Sequence, residues 1–243
     1  MSEWDTYCYS GRGAPAVNED RVAEYTSNRS ALWLLADGLG GHGYGEIASA
    51  EALSSIIQKA QKGVYDLQEL ARCANERILA LQKDQQKGLP MRCTLVAALG
   101  REESFQWGYV GDSRLYYFRD GRIIAQTRDD SVSQLAVSLG ELEPDRLRGS
   151  PDQNRLTHAL GEEPLVFHLA AAVRPQPGDA FLLCSDGFWK GVWETEMLLD
   201  LCKSYSAREW GELMLCRVLA GPTMPEDNFT LLCGFYPNRN FGP

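Results

Sequence analysis

The chain has 243 residues, 44% of them hydrophobic, enough to bury a sizeable core. Its 24 Lys+Arg against 33 Asp+Glu give a net charge of -9, which argues against a nucleic-acid binder working by phosphate neutralisation. No apolar run approaches the roughly 18 residues of a membrane span. Met1-Ser2-Glu3-Trp4-Asp5 lacks the basic start and apolar stretch of a signal peptide, so a cytoplasmic chain without membrane insertion is expected.

Apolar alternation and short apolar runs bounded by turn residues predict strands at 5–9, 21–26 and 31–36. Two helices follow. Ile47, Ala50, Leu53, Ile57 and Ala60 recur at three- and four-residue steps, as do Leu67, Leu70, Ala74, Ile78 and Leu81, so each segment offers one apolar stripe. Strands are then expected at 93–100, 105–110, 114–118, 122–126, 166–173 and 180–184. A second helical pair runs through Met197, Leu198 and Leu201, then Trp210, Leu213, Met214, Arg217 and Val218, before a last strand at 229–235. Consecutive strands without intervening helices favour antiparallel sheets, so the expected fold is α+β, an α-β-β-α sandwich of two packed antiparallel sheets with helix pairs outside. No repeat, Ser/Gly linker or low-complexity tract interrupts it, so residues 1–243 read as one domain. The seven cysteines are widely spaced, mostly in apolar segments, with no C-x-x-C, and read as reduced core thiols. Three histidines and no close Cys/His pair argue against a zinc site.

The informative pattern is where the aspartates fall. Apolar strands end in Asp37-Gly38, Gly111-Asp112 and Asp186-Gly187, and acids precede strands in Asn18-Glu19-Asp20 and Asp227-Asn228. Asp and Gly also make turns, and Asp120-Gly121 between two alternating strands is best read as a hairpin. For the others two readings stay open: turn acids, or convergent carboxylates that would repel and raise one another's pKa unless cations neutralise them. Oxygen-only ligands select Mg²⁺ or Mn²⁺ over zinc.

Gly38-Leu39-Gly40-Gly41-His42-Gly43 also fits the dinucleotide pattern G-x-G-x-x-G. The acidic ribose ligand should end a parallel strand about 20 residues on, where this sequence reads as helix. Ser113 and Ser185 lie beside acids, but there is no G-x-S-x-G, and neither His158 nor His168 has a setting that makes it a base. His42 reads as a loop-packing group, and His168 as structural.

Taken together the segments resemble the metal-dependent protein serine/threonine phosphatases of the PP2C family, bacterial type. In the family's order they are Asn18-Glu19-Asp20-Arg21; Ala36-Asp37-Gly38-Leu39-Gly40-Gly41-His42 with Gly45-Glu46 and Ala48-Ser49; Cys93-Thr94-Leu95; and Val110-Gly111-Asp112-Ser113-Arg114. Then come Thr127-Arg128-Asp129-Asp130-Ser131; Leu156-Thr157-His158-Ala159-Leu160-Gly161; Pro177-Gly178-Asp179; Leu183-Cys184-Ser185-Asp186-Gly187; and Asp227-Asn228-Phe229-Thr230. The resemblance implies a phosphoserine/phosphothreonine phosphatase acting on phosphorylated proteins of a Ser/Thr kinase. It implies two Mn²⁺ or Mg²⁺ ions, Asp37 bridging them, with the Gly38 carbonyl, Asp186 and Asp227 completing the set. Asp20 would bind directly or through water with Glu19 beside it, and Asp112 would hold a third, looser ion together with Asp186. Residues from about 130 to 155 resemble the family's flap. A water between two ions loses proton affinity and attacks phosphorus in line, without a covalent phospho-enzyme.

The sequence departs from the family where an arginine contacts the phosphate; here that position is Pro15, and Arg12 is the nearby candidate to substitute. The family's D-H-S appears as Asp129-Asp130-Ser131, its T-R-A-L-G as Thr157-His158-Ala159-Leu160-Gly161, and Leu39 stands where eukaryotic members have a histidine. The alternatives are a pseudophosphatase interaction module, against which the intact acid set argues, and a small-molecule phosphoesterase. Some bacterial relatives accompany kinases controlling secretion machines, type VI systems included, and nothing in this sequence selects that pathway.

Overall fold

The computed structural model describes residues 4–39, 44–84, 91–221 and 224–236; His42 lies outside them. Strands β1 (Asp5–Gly11), β2 (Arg21–Thr26), β3 (Ser30–Ala36) and the two-residue β4 (Gly38–Leu39) precede helices α1 (Gly45–Gln61) and α2 (Leu67–Asp84). Five strands follow: β5 (Arg92–Cys93), β6 (Leu95–Arg101), β7 (Ser104–Val110), β8 (Arg114–Arg119) and β9 (Arg122–Gln126). Then come α3 (Val132–Ser138), a 3-10 turn Pro144–Gly149, β10 (His168–Leu169) and β11 (Ala180–Cys184). The last elements are the one-turn α4 (Asp186–Trp189), α5 (Glu194–Lys203), α6 (Ala207–Leu219) and β12 (Phe229–Phe235).

One five-stranded sheet has the order β1-β12-β11-β8-β9 and the other β10-β7-β6-β3-β2, with β4 and β5 paired separately; every pairing is antiparallel. The expected sandwich is therefore present, and the dinucleotide fold, which needs parallel strands, is not. Period-two alternation divides each central strand between two cores. Leu32, Leu34 and Ala36 of β3 face α1 and α2, while Ala31, Trp33 and Leu35 face the opposite sheet. Likewise Ala180, Leu182 and Cys184 of β11 pack with α5 and α6, and Phe181 and Leu183 point between the sheets. Burial on both faces is why these strands read as unbroken apolar runs. Aromatic rings fill the layer between them: Phe181 lies 4.8 Å from Trp33 and 5.1 Å from Phe105, centroid to centroid. Among the described residues no helix is long and apolar enough to cross a membrane.

Asp120-Gly121 is the hairpin expected, both residues at positive φ (49° and 68°) between β8 and β9. Four expectations need correction. The strand at 93–100 breaks at Thr94, whose N–H donates to the Asp37 carbonyl at 2.8 Å and leaves the ladder. The strand at 166–173 pairs β7 only at His168 and Leu169, then again at Val173 opposite Phe105, one residue out of register, so a bulge interrupts it. The buried face of α1 is Ala48, Ser49, Ala52, Leu53, Ile56 and Ala60, rotated from the Ile47-Ala50-Ile57 line because small side chains let the helix approach the sheet. Of the cysteines, Cys93, Cys184 and Cys233 are buried, but Cys8, Cys202 and Cys216 are exposed, lying on an edge strand and on outward helix faces. Two helices were unanticipated: α3 in the flap segment, capped by Ser131 Oγ accepting from the Gln134 N–H, and α4, which starts at Asp186.

Candidate metal centre

Antiparallel pairing puts the end of one strand beside the start of the next, and this brings the acids to one rim. Arg21 pairs with Ala36, so Asp20, just before β2, lies opposite Asp37, just after β3. Leu95 pairs with Val110, which sets Thr94 beside Gly111 and the Asp112 turn. The Ser185 N–H donates to Thr230 O at 3.0 Å, which joins the approach to Asp186 to the strand that follows Asp227. The predicted residues Asp20, Asp37, Asp112, Asp186 and Asp227 are thereby gathered.

The gathered acids act on one another's proton affinity. Burial pushes the Asp20 carboxyl up to about 7, opposed by hydrogen bonds from Thr230 and Ser185 and reinforced by Asp186 and Asp227. Asp37 is raised well above the carboxylate range by burial, then by Asp20, Asp186, Asp112 and Asp227 together. Asp112 is likewise raised by burial and then by Asp186 and Asp129, against Lys190 and Arg114. Asp227 rises through burial and Asp186, and Glu19 through burial, Glu46 and Asp227.

Protein donors hold single oxygens of these acids. Ser185 Oγ donates to Asp20 Oδ2 at 2.8 Å, Gln153 Nε2 to Asp112 Oδ2 at 3.1 Å, Lys190 Nζ to Asp186 Oδ2 at 2.6 Å, and the Asn228 N–H to Asp227 Oδ1 at 2.8 Å. Among the described residues no three acidic, His or Cys side chains converge on one point as they stand. Even so the donor set fits hard cations. It consists of oxygens, their mutual repulsion calls for positive charge, and among the described residues Asp20 Oδ1 is buried with no hydrogen-bond partner.

Neighbouring residues explain the motifs. Thr94 Oγ1 accepts from the Asp37 N–H at 2.9 Å and pairs with Ser113 Oγ at 2.7 Å, tying two acid turns together. A Cβ on Gly38 would stand 2.3 Å from the Gly45 carbonyl oxygen, so only glycine lets β4 pass the start of α1. Asn228 Oδ1 accepts from the Glu19 N–H at 2.8 Å while its Nδ2 donates to Arg12 O at 2.6 Å, stapling the loop before β2 to β12. Arg12 itself is exposed, its Nη1 donating to Ala16 O at 3.2 Å, and Pro15 is half-buried. Below Asp112, Arg114 makes a two-pronged buried pair with Asp129, both bonds 2.8 Å, and its guanidinium lies 3.4 Å over Trp189. Trp189 Nε1 in turn donates to Asp112 O at 3.0 Å.

The two departures at 130 and 158 meet. Asp130 Oδ2 accepts from the Gly111 N–H at 3.0 Å, and its Oδ1 bonds His168 Nε2 at 2.9 Å with His158 Nδ1 3.7 Å away. His168 thus supports the Asp112 turn from β10, stacked on Tyr109. Sequence reading missed Ser185 as a carboxylate donor, Gln153, and Lys190. Only Lys190 left a signal, its i, i+4 spacing from Asp186.

An antiparallel sandwich with paired outer helices and acids along one rim is the architecture of a serine/threonine phosphatase catalytic domain. The crystal structure of the PstP catalytic domain in complex with 2 manganese ions superposes with a TM-score of 0.81 at 29% identity, covering 96% of this chain and 97% of that one. Over residues 9–223 the chain matches the protein phosphatase 2C family, and it belongs to that family. It is 33% identical over 233 residues to the serine/threonine protein phosphatase PstP of Mycobacterium tuberculosis, covering 93% of this chain and 44% of PstP, so it spans under half the length of that relative. The serine/threonine phosphatase stp of Listeria monocytogenes is 30% identical over 226 residues, 88% of each chain.

Proposed function

We propose that the chain is a phosphoprotein phosphatase that hydrolyses phosphoserine and phosphothreonine with water at a centre of two Mn²⁺ or Mg²⁺ ions. The observation that carries this reading is the rim of mutually repelling carboxylates with the orphaned Asp20 Oδ1. The 2 manganese ions in the related PstP structure support it. In this reading Asp37 would hold both ions, with the Gly38 carbonyl, Asp186 and Asp227 completing the set, Asp20 joining directly or through water, and Asp112 facing a looser third position. Such ions, when bound, lower the proton affinity of a water and offset charge building on phosphoryl oxygens.

The chain's own groups do the positioning. Ser185 engages one Asp20 oxygen and leaves the other open, and Thr94 holds the backbone of Asp37. Arg12 is the candidate phosphate contact, since Asn228 anchors its carbonyl close to Asp227 while its side chain stays exposed. The substrates would be phosphorylated proteins of a Ser/Thr kinase, met in the cytoplasm without nucleic acid, by one catalytic unit of residues 1–243 whose flap spans 130–155. Purified protein should hydrolyse a phosphothreonine peptide with Mn²⁺ or Mg²⁺ and stop with EDTA. Full activity in metal-free buffer would overturn the reading.

A further inference from the structure

Lys190 stands one turn after Asp186, where two helical side chains can meet. Its Nζ donates to Asp186 Oδ2 and to Asn154 Oδ1, each at 2.6 Å. Asn154 lies in the segment 150–155 that follows the 3-10 turn. The adjacent Gln153 is 1% exposed, donates to Asp112 Oδ2 at 3.1 Å, and leaves its Oε1 buried without a partner among the described residues. The ammonium also works against the rise that burial and Asp186 impose on the Asp112 carboxyl, and it does the same at Asp227. One lysine therefore acts on three rim carboxylates, and the two residues 153 and 154 reach the rim through Asp112 and through that lysine. Unlike a bound ion, a side-chain charge does not dissociate. It also leaves the second oxygen of Asp186 available.

We propose that Lys190 is a resident cation of the rim, neutralising the Asp112 and Asp186 pair in place of a third divalent ion and pinning segment 150–155 to the centre through Asn154. A divalent ion entering between the same two acids would face the ammonium at short range, where like charges repel strongly. The first half rests on reading Asp112 and Asp186 as cation ligands; the second, the pin, stands on the hydrogen bonds alone. Lys190 is a positioning residue in this account, acting through Asp186 and Asn154.

Two measurements on the full chain test the halves separately. Calorimetric titration of Mn²⁺ into metal-stripped protein should give two ions per chain for the wild type, a further, weaker one for Lys190→Met, and two again for Lys190→Arg. Equal stoichiometry in the wild type and Lys190→Met overturns the resident-cation half. Hydrogen exchange in metal-free buffer reads the pin at the amides of Gln153 and Arg155, which donate to Ser150 O and Asp152 O. They should exchange about tenfold faster in both Lys190→Met and Asn154→Ala, the loss expected for one hydrogen bond to a charged group. Unchanged exchange in both variants overturns the pin. Asn154→Ala keeps the charge, so its Mn²⁺ stoichiometry should stay at two; a third ion there would also overturn the resident-cation half. A wild-type chain that bound no Mn²⁺ while exchange responded as stated would overturn the metal centre itself and keep the pin.

Discussion

The layer between the sheets and the rim above it are built by the same strands and obey opposite rules. Trp33, Phe181 and Leu232 lie in an apolar interior where rings pack on rings. A few residues along those strands, or just before them, come Asp186, Asp37 and Asp227, and at the last two burial and repulsion raise the carboxyl groups out of their ordinary range. The interior stabilises the fold whatever the solution contains. Without a cation the rim costs stability, so the scaffold must hold it in place.

Changes at the rim should separate chemistry from stability. Asp37→Ala should lower turnover of a phosphothreonine peptide by orders of magnitude while circular dichroism stays native, and in metal-free buffer its melting temperature should exceed that of the wild type, because one of the crowded acids, whose ionisation the site opposes, is gone. Asp120→Ala, at the other Asp-Gly pair, should leave turnover nearly unchanged and cost about 1–2 kcal/mol of stability, because alanine tolerates the positive φ poorly. Equal activity losses in two folded variants would erase the distinction between ligand and turn.

An interior change should do the reverse. Phe181→Ala empties a fully buried site among Trp33, Phe105 and Trp4, and should cost roughly 3–5 kcal/mol in urea denaturation. The surviving folded fraction should keep its Mn²⁺ affinity. A large affinity loss in folded protein would mean that the interior helps set the rim's geometry.

Acidity sharpens the contrast further. Asp20 protonates near pH 7 in the folded chain against 3.8 ordinarily, so its contribution to stability is fully present below the unfolded value and is lost as pH rises through the folded one. The melting temperature of EDTA-treated protein should therefore rise as pH falls from about 8 to about 5, less steeply in Asp20→Asn. Saturating Mn²⁺ should reverse the sign of that slope, because bound ions favour the ionised acids. A metal-free slope that is flat or opposite would show that the acids are not pressed together.

The smallest effect concerns the loop before β2. If Arg12 contacts phosphate, Arg12→Ala should raise KM for phosphopeptides about tenfold with little change in kcat, since the contact exists in ground and transition states alike. An unchanged KM across several peptides would discard Arg12 and leave the rim as the phosphate anchor.

Much of this was readable from local pattern. Strands 21–26, 122–126 and 229–235 were legible to the residue because turn chemistry and alternation agree at both ends. The rim acids were legible because a carboxylate at the end of a doubly buried strand is out of place unless it serves something. Faces set by distant contacts were not legible. Ser49 turns inward because its hydroxyl donates to the Glu19 carbonyl at 2.6 Å, and that partner lies 30 residues away. The same holds for Lys190, whose second partner, Asn154, lies 36 residues back, and for His168, whose role depends on an aspartate from the other end of the flap.

The placement of β12 has a consequence for how the protein comes into being. This strand separates β1 from β11, and among the described residues β1 has no other partner in its sheet. Synthesis runs from the N-terminus, so a growing chain on the ribosome carries an unpaired β1 and an open edge on β11 until residues 229–235 emerge. Open edges invite pairing with other chains, so a chain that stops short of residue 229 is exposed to aggregation. Asp227 arrives immediately ahead of that strand, so an unfinished chain cannot hold the complete acid rim.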